Sequence, residues 1–359
     1  MRVPSRHWAS RLFGATDAAW SVSFAVHILI GLIVGVAVLL PFFPTPAAML
    51  GGLCAGLVAG VGARVPAAVA GLVALMTGLV ALVCAGLGVL TSPIPVLAAV
   101  AMGAIVFSSS LAAAGGPLGA GLGLVGSFTF AFATSVRVLG GERAGGVSDL
   151  LGVVAAGAAV GVVVGFVSAL FRAKGRLARL PRSEESLSVR MLHALRARDE
   201  HFRDGVRRAI PLAVAMLGFS AFGGRDAYWI FLAAFTILLP TGKPPTSVLI
   251  TRIAGTVVGV VAVGLLALVV PTIALAAIAV VALIVGIAAQ ERYPTYGAAL
   301  SSIGAIMFVG LPSGAVTEWA AHRLLDTLIG SALAVLALLV LWPRDRPKRE
   351  AEAGVGVPG

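Results

Sequence analysis

Apolar stretches about as long as the roughly 20 residues needed to cross a hydrocarbon layer follow one another along almost the entire chain, most of them separated by short turns rich in Pro and Gly. They leave no room for a large soluble domain among the 359 residues. Such a chain needs a bilayer as solvent, and inside a bilayer each segment must satisfy its own backbone hydrogen bonds, which selects helices. The composition agrees: 59% of the residues are apolar and 11% charged, with a mean hydropathy of +1.04, where an average soluble domain carries about 25% charged residues.

Twelve stretches predict an all-α, polytopic transmembrane bundle. Six fall in a first half, residues 22–171: Val22–Leu40, Ala47–Ala63, Ala67–Leu90, Ile94–Ala114, Pro117–Val138 and Asp149–Phe171. Six fall in a second half that ends at residue 343: Arg208–Phe222, Tyr228–Leu239, Val248–Val270, Thr272–Ala289, Tyr296–Leu311 and Leu324–Trp342. Residues 1–21 form an N-terminal arm, 172–208 a basic linker, 209–343 the second membrane half and 344–359 a tail. The first stretch follows Arg2, Arg6 and Arg11 as a secretory signal would. It is too long for an h-region, and Pro41-Phe42-Phe43-Pro44 stands where a cleavage site would be, so it reads as a retained helix.

The net charge of +11 does not point to nucleic acid, because the basic residues lie between apolar spans and at the ends rather than on one compact domain. Topology explains them. With the N-terminus inside, 22 of the 26 Lys and Arg residues fall on the cytoplasmic side, leaving only Arg137, Arg143, Arg225 and Arg323 outside. Both termini are then cytoplasmic in a plasma membrane. From Ser183 onward the linker has helical features: Glu184 and Glu185 suit a first turn, Leu187, Leu192, Leu195, Phe202 and Val206 are apolar, and Asp199/Arg203 and Asp204/Arg208 are spaced for i,i+4 pairing. An amphipathic helix on the anionic inner leaflet is the simplest reading; a partner-binding role is its alternative.

Two short matches suggest internal repetition. Arg64-x-x-Ala67-x-x-x-Gly71 and Arg252-x-x-Gly255-x-x-x-Gly259 open the third and ninth spans, while Asp149-Leu-Leu-Gly152 and Asp326-Thr-Leu-Ile-Gly330 lie near the starts of the sixth and twelfth. Six spans per half imply two parallel repeats about an axis along the membrane normal. Glycines at four-residue spacing, Gly52/Gly56/Gly60, Gly115/Gly119/Gly123 and Gly157/Gly161/Gly165, mark helix faces that approach closely. Such faces are also compatible with a homo-oligomer.

No catalytic constellation, phosphate-cradling loop or metal-ligand spacing is present, and the five histidines are scattered. The sequence therefore predicts no enzyme, cofactor or metal. Cys54 and Cys84 lie inside apolar spans and read as packing residues. Pumping would draw on an ion gradient, protons first, or on a separate partner. Ionisable groups near hydrocarbon are costly and mark pathways; the candidates are Arg252, beside Thr251 and Thr256, Arg323 with Asp326, Asp226 with Tyr228 and Trp229, and Lys243. Snorkelling arginines, an aromatic belt and an Arg323–Asp326 salt bridge are the structural alternatives to a cationic, aromatic-flanked site for an organic anion.

Asp226-Ala-Tyr-Trp-Ile-Phe-Leu-Ala-Ala-Phe-Thr-Ile-Leu-Leu-Pro240, Thr251-Arg-Ile-Ala-Gly-Thr-Val-Val-Gly259 and Arg323-Leu-Leu-Asp-Thr-Leu-Ile-Gly330, ending in Leu341-Trp-Pro343, resemble the FUSC family of fusaric acid resistance proteins and aromatic acid exporters. The resemblance covers about residues 206–343 and is diffuse before them. It implies a bacterial inner-membrane protein that exports aromatic or other hydrophobic organic anions. Arg252 and Arg323 are then carboxylate partners, Tyr228 and Trp229 ring contacts, Thr256 a further substrate-binding residue and Asp326 a proton carrier. Many relatives carry a sizeable soluble region that this sequence does not show, and some are plant anion channels. An anion channel and a non-transporting scaffold are the alternative functions.

Overall fold

The computed structural model describes residues 22–63, 65, 67–140, 146–172, 187–222, 227–238, 245–313 and 316–341. The N-terminal arm, the tail, Glu184/Glu185, Asp226 and Lys243 lie outside these residues. Within them all regular structure is α-helical, in thirteen helices. The first half contains α1 (Val22–Leu39), α2 (Thr45–Ala63), α3 (Ala67–Thr91), α4 (Pro95–Ala113), α5 (Pro117–Gly140) and α6 (Val147–Arg172). Next come α7 (Leu187–Ala197), α8 (Glu200–Phe222), α9 (Ala227–Leu238), α10 (Pro245–Val269), α11 (Thr272–Ala289), α12 (Pro294–Ser313) and α13 (Val316–Leu341). Eight of them, α1, α3–α6, α10, α11 and α13, are long and apolar enough to cross a membrane, and α2 and α9 are shorter apolar helices.

Burial follows the logic of a bilayer. Large apolar side chains face outward, among them Leu72, Phe171, Leu268 and Ile273, whereas the interior is rich in Ala and Gly. Without a hydrophobic force between helices in lipid, close backbone approach and dispersion hold them together. A methyl group on Gly31 or Gly161 would come within 2.6 Å of the Ala55 carbonyl oxygen, so α1 and α6 both press on α2 through positions that admit no side chain. Gly52, Gly56 and Gly60 of α2 in turn face α1, and Gly119 and Gly123 of α5 face α4. Gly116, at φ +87°, turns the chain between α4 and α5 in a conformation that β-carbon-bearing residues resist.

These contacts fix helix directions. Gly161 and Gly165 of α6 meet Ala55 and Ala59 of α2, and Gly126 and Phe130 of α5 meet Cys84 and Gly88 of α3, so both pairs run parallel. In the second half Gly255 and Gly259 of α10 meet Ala298 and Ser302 of α12, again parallel. Gly330 of α13 meets Ile230 and Ala233 of α9. Between the halves, α4 packs on α8 and α1 on α11. The main core cluster spans the first of these junctions, with Met102 and Val106 from α4, Phe130 from α5, Leu212 and Met216 from α8, Phe231 from α9 and Ala334 from α13.

Three expectations are corrected in register. The linker helix is not continuous: Arg198, at φ +48°, ends α7, and the Asp199 carboxylate accepts the Phe202 amide (3.1 Å) to cap α8. From there one helix runs through Arg208 to Phe222, so the seventh apolar stretch continues a helix that begins in the linker. The last span starts at Val316, which puts Arg323 eight residues into α13 rather than in a loop before it. Both sequence matches fall out of step as well. Asp149 is exposed at the start of α6 whereas Asp326 is buried deep in α13, and Arg64 precedes α3 whereas Arg252 lies within α10.

A candidate anion site in the second half

α13 carries Arg323, Asp326, Thr327, Gly330 and Ser331 at helical spacings of three and four, and all five are buried. Gly330 explains how: with no β-carbon, it lets α13 settle against the backbone of α9, where a methyl would come within 2.5 Å of the Ile230 carbonyl oxygen. That approach brings the start of α9 alongside Arg323. The guanidinium lies over the Trp229 ring, 4.3 Å from its centroid, and Arg323 is only 3% exposed. A cation over an indole face gains about 1–2 kcal/mol from the ring quadrupole. The Thr327 hydroxyl donates to the Arg323 carbonyl oxygen (2.8 Å), and Asp326, 3% exposed, lies one turn on.

The structure therefore joins two residues singled out in the sequence, Arg323 and Trp229, and places Asp326 beside them. Tyr228 begins α9 with Trp229; its side chain lies outside the description. Arg252 and Thr256 share a face of α10, one turn apart. α13 returns from the Gly310–Val316 junction antiparallel to α12, and α12 is parallel to α10. Traced through α12, Arg252 and Arg323 stand about ten residues, roughly 15 Å, apart along the bundle. Arg252 is half-buried, whereas Arg323 lies inside the packed bundle, which removes the snorkelling alternative for it.

Other polar groups went unread in the sequence. Ser302 on α12 and Ser331 on α13 are buried, and nothing in the sequence separates them from serines that simply bond back to their own helix. His27 on α1 bridges to the Ser168 hydroxyl on α6. In the first half of α8, Arg208 pairs with Asp204 at 3.2 Å, as the i,i+4 spacing implies, and Arg207 lies 3.9 Å from the same carboxylate. Among the described residues no group of three potential metal ligands converges.

Many apolar helices enclosing a charged, aromatic-flanked interior define a class: a multi-pass helical membrane protein. Residues 212–337 match the family model described as fusaric acid resistance protein-like, and the match supports FUSC membership through the half of the chain that holds Arg323, Trp229 and Asp326. The chain is also similar to an uncharacterized protein, ORF2, of Neisseria gonorrhoeae: 27% identical over 146 residues, which are 40% of this chain and 34% of that protein. The chain thus matches about a third of the length of this curated relative. No solved structure matches it.

Proposed function

We propose that the protein is a plasma-membrane transporter that exports aromatic or other hydrophobic organic anions, driven by an ion gradient, with protons as the coupling ion. The observation that carries this reading is the Arg323 guanidinium held over Trp229 at 4.3 Å and 3% exposed, inside a membrane-crossing helix. Arginine presents a planar fork that matches a carboxylate, and a neighbouring indole favours an aromatic ring on the same ligand. Asp326 lies one turn away on the same helix. Its negative charge and a substrate carboxylate compete for the same guanidinium, so protonation of Asp326 and occupation of Arg323 are linked.

The same reading takes the twelve helices other than α7 as two parallel repeats, with both termini cytoplasmic in a bacterial inner membrane. Its support is recurrent packing. The parallel pairs α2/α6 and α3/α5 have counterparts six spans later in the packed pairs α9/α13 and α10/α12, and the α4–α8 contact between halves has its counterpart in α11–α1. The short sequence matches are not part of that support.

Binding tests the site. The chain has five tryptophans, so the difference in fluorescence quenching between wild type and Trp229→Phe isolates the ring over Arg323. Titration with benzoate- and picolinate-type carboxylates is expected to quench wild type, with most of the signal lost in Trp229→Phe. Equal quenching in both would reject the site, and unitary currents in planar bilayers far above carrier turnover would replace the transporter with a channel.

A further inference from the structure

A buried hydroxyl in a helix normally bonds back to the carbonyl three or four residues earlier. Every buried serine and threonine described in the first half does so, for example Thr77 to Val73 (2.7 Å), Ser110 to Val106 (3.0 Å) and Thr134 to Phe130 (2.9 Å). Thr251 and Thr327 follow the same rule in the second half. Three hydroxyls of buried residues break it, apart from Ser220 on α8, a half-buried residue whose hydroxyl also lacks a partner among the described residues. Thr256 on α10 (0% exposed), Ser302 on α12 (1%) and Ser331 on α13 (3%) have no hydrogen-bond partner among the described residues. An unmade hydrogen bond on a buried hydroxyl costs about 1–3 kcal/mol, and three together on helices that all pack on one another are unlike the rest of this chain.

Their heights in the bundle are staggered over roughly 10 Å. A methyl on Gly259 would come within 3.0 Å of the Ser302 β-carbon, which puts Ser302 level with Gly259, and Thr256 lies one turn below it on α10. From the Gly310–Val316 junction, Ser302 is eight residues down α12 and Asp326 ten residues down α13, both about 12–15 Å. Ser331 lies five residues, about 8 Å, further along α13. The hydroxyls thus descend from the level of Asp326 toward the Arg252 end of α10. Over that distance two or three waters bridge donor to acceptor, and buried water is the usual partner of polar groups that the protein leaves unsatisfied.

We infer that Thr256, Ser302 and Ser331 hold a short file of ordered water between α10, α12 and α13, through which Asp326 exchanges protons with the end of the bundle where α10 begins. This rests on the reading of Asp326 as the coupling carboxyl and supplies its proton path. The charged and titratable groups that bear on that path are Glu318, His322 and Arg323 on the same helix as Asp326, Arg252 on α10, and Glu291 and Arg292 just before α12; α9 and α12 themselves carry no charged residue, and those of α8 end at Arg208. Arg252 and Arg323 disfavour a metal cation along the file and leave neutral water as its occupant.

The test is the rate of deuterium exchange at the Asp326 carboxyl, read by infrared difference spectroscopy of the protein in lipid with Asp326→Asn to identify the band. The Thr256→Val/Ser302→Ala/Ser331→Ala variant, which keeps shape while removing the hydroxyls, is expected to slow exchange at least tenfold. Unchanged exchange, with the triple variant melting higher than wild type, would mean that the hydroxyls sit in a dry core and would overturn the inference. Slowed exchange in a protein that transports no anion would keep the water file and reject the transport reading, so the two fail separately.

Discussion

Arg323 is the residue on which the site depends. Removing its charge leaves any bound carboxylate buried without a partner, a loss of about 2 kcal/mol or more, so Arg323→Gln should weaken anion affinity roughly thirtyfold or more at equal membrane insertion. Arg323→Lys should recover little, because an ammonium lacks both the bidentate fork and the planar face that lies on Trp229. Trp229→Leu removes the cation–π term alone, about 1 kcal/mol, for an effect near fivefold. Binding titrations of the three variants check this order. Arg323, Trp229 and Asp326 were legible in the sequence because charge and indole are rare in these spans. Their burial was not, since hydropathy starts the last span at Leu324 and cannot see a helix begin seven residues ahead of Arg323. The separation of Arg252 from Arg323 was not legible either: one-dimensional proximity to span starts says nothing of which end of the bundle each start occupies.

Among the elements, α8 shows how a short polar signal overrides a hydropathy boundary. The sequence separates linker from membrane at Arg208, yet capping by Asp199 starts a helix at Glu200 that carries straight on into the apolar segment. Asp199→Ala should cost about 1 kcal/mol of local stability and speed amide exchange over residues 200–203 roughly fivefold, leaving the interior of α8 protected. The glycine faces were read correctly because close packing in lipid admits little else. Gly161→Leu, forced against the Ala55 carbonyl oxygen, is expected to abolish monodisperse protein in detergent, whereas Gly152→Leu, which meets nothing within 4 Å, is expected to leave it intact. Similar elution profiles for both would show that α2 and α6 are less tightly joined than the structure has them.

The whole molecule was visible in outline. Length and hydropathy give helices and their order, because a bilayer allows few other solutions. How the halves meet was not visible, since α4 on α8 and α1 on α11 are contacts between apolar surfaces that resemble lipid-facing ones. Cysteines at Gly103 and Ala213, whose β-carbons would stand 3.4 Å apart, close to the roughly 3.5–4.5 Å of a disulfide, should cross-link α4 to α8 in native membranes. Failure to cross-link at full expression would mean that the halves meet elsewhere. The central claim is that this bundle moves an organic anion through the site at Arg323. It is tested most directly by uptake of a labelled aromatic carboxylate into proteoliposomes, with and without an imposed pH gradient, for wild type and for Arg323→Gln inserted at the same level. Gradient-dependent accumulation that falls to the protein-free background in Arg323→Gln is the predicted result; equal accumulation by both proteins, or none by wild type for any aromatic carboxylate, would contradict it.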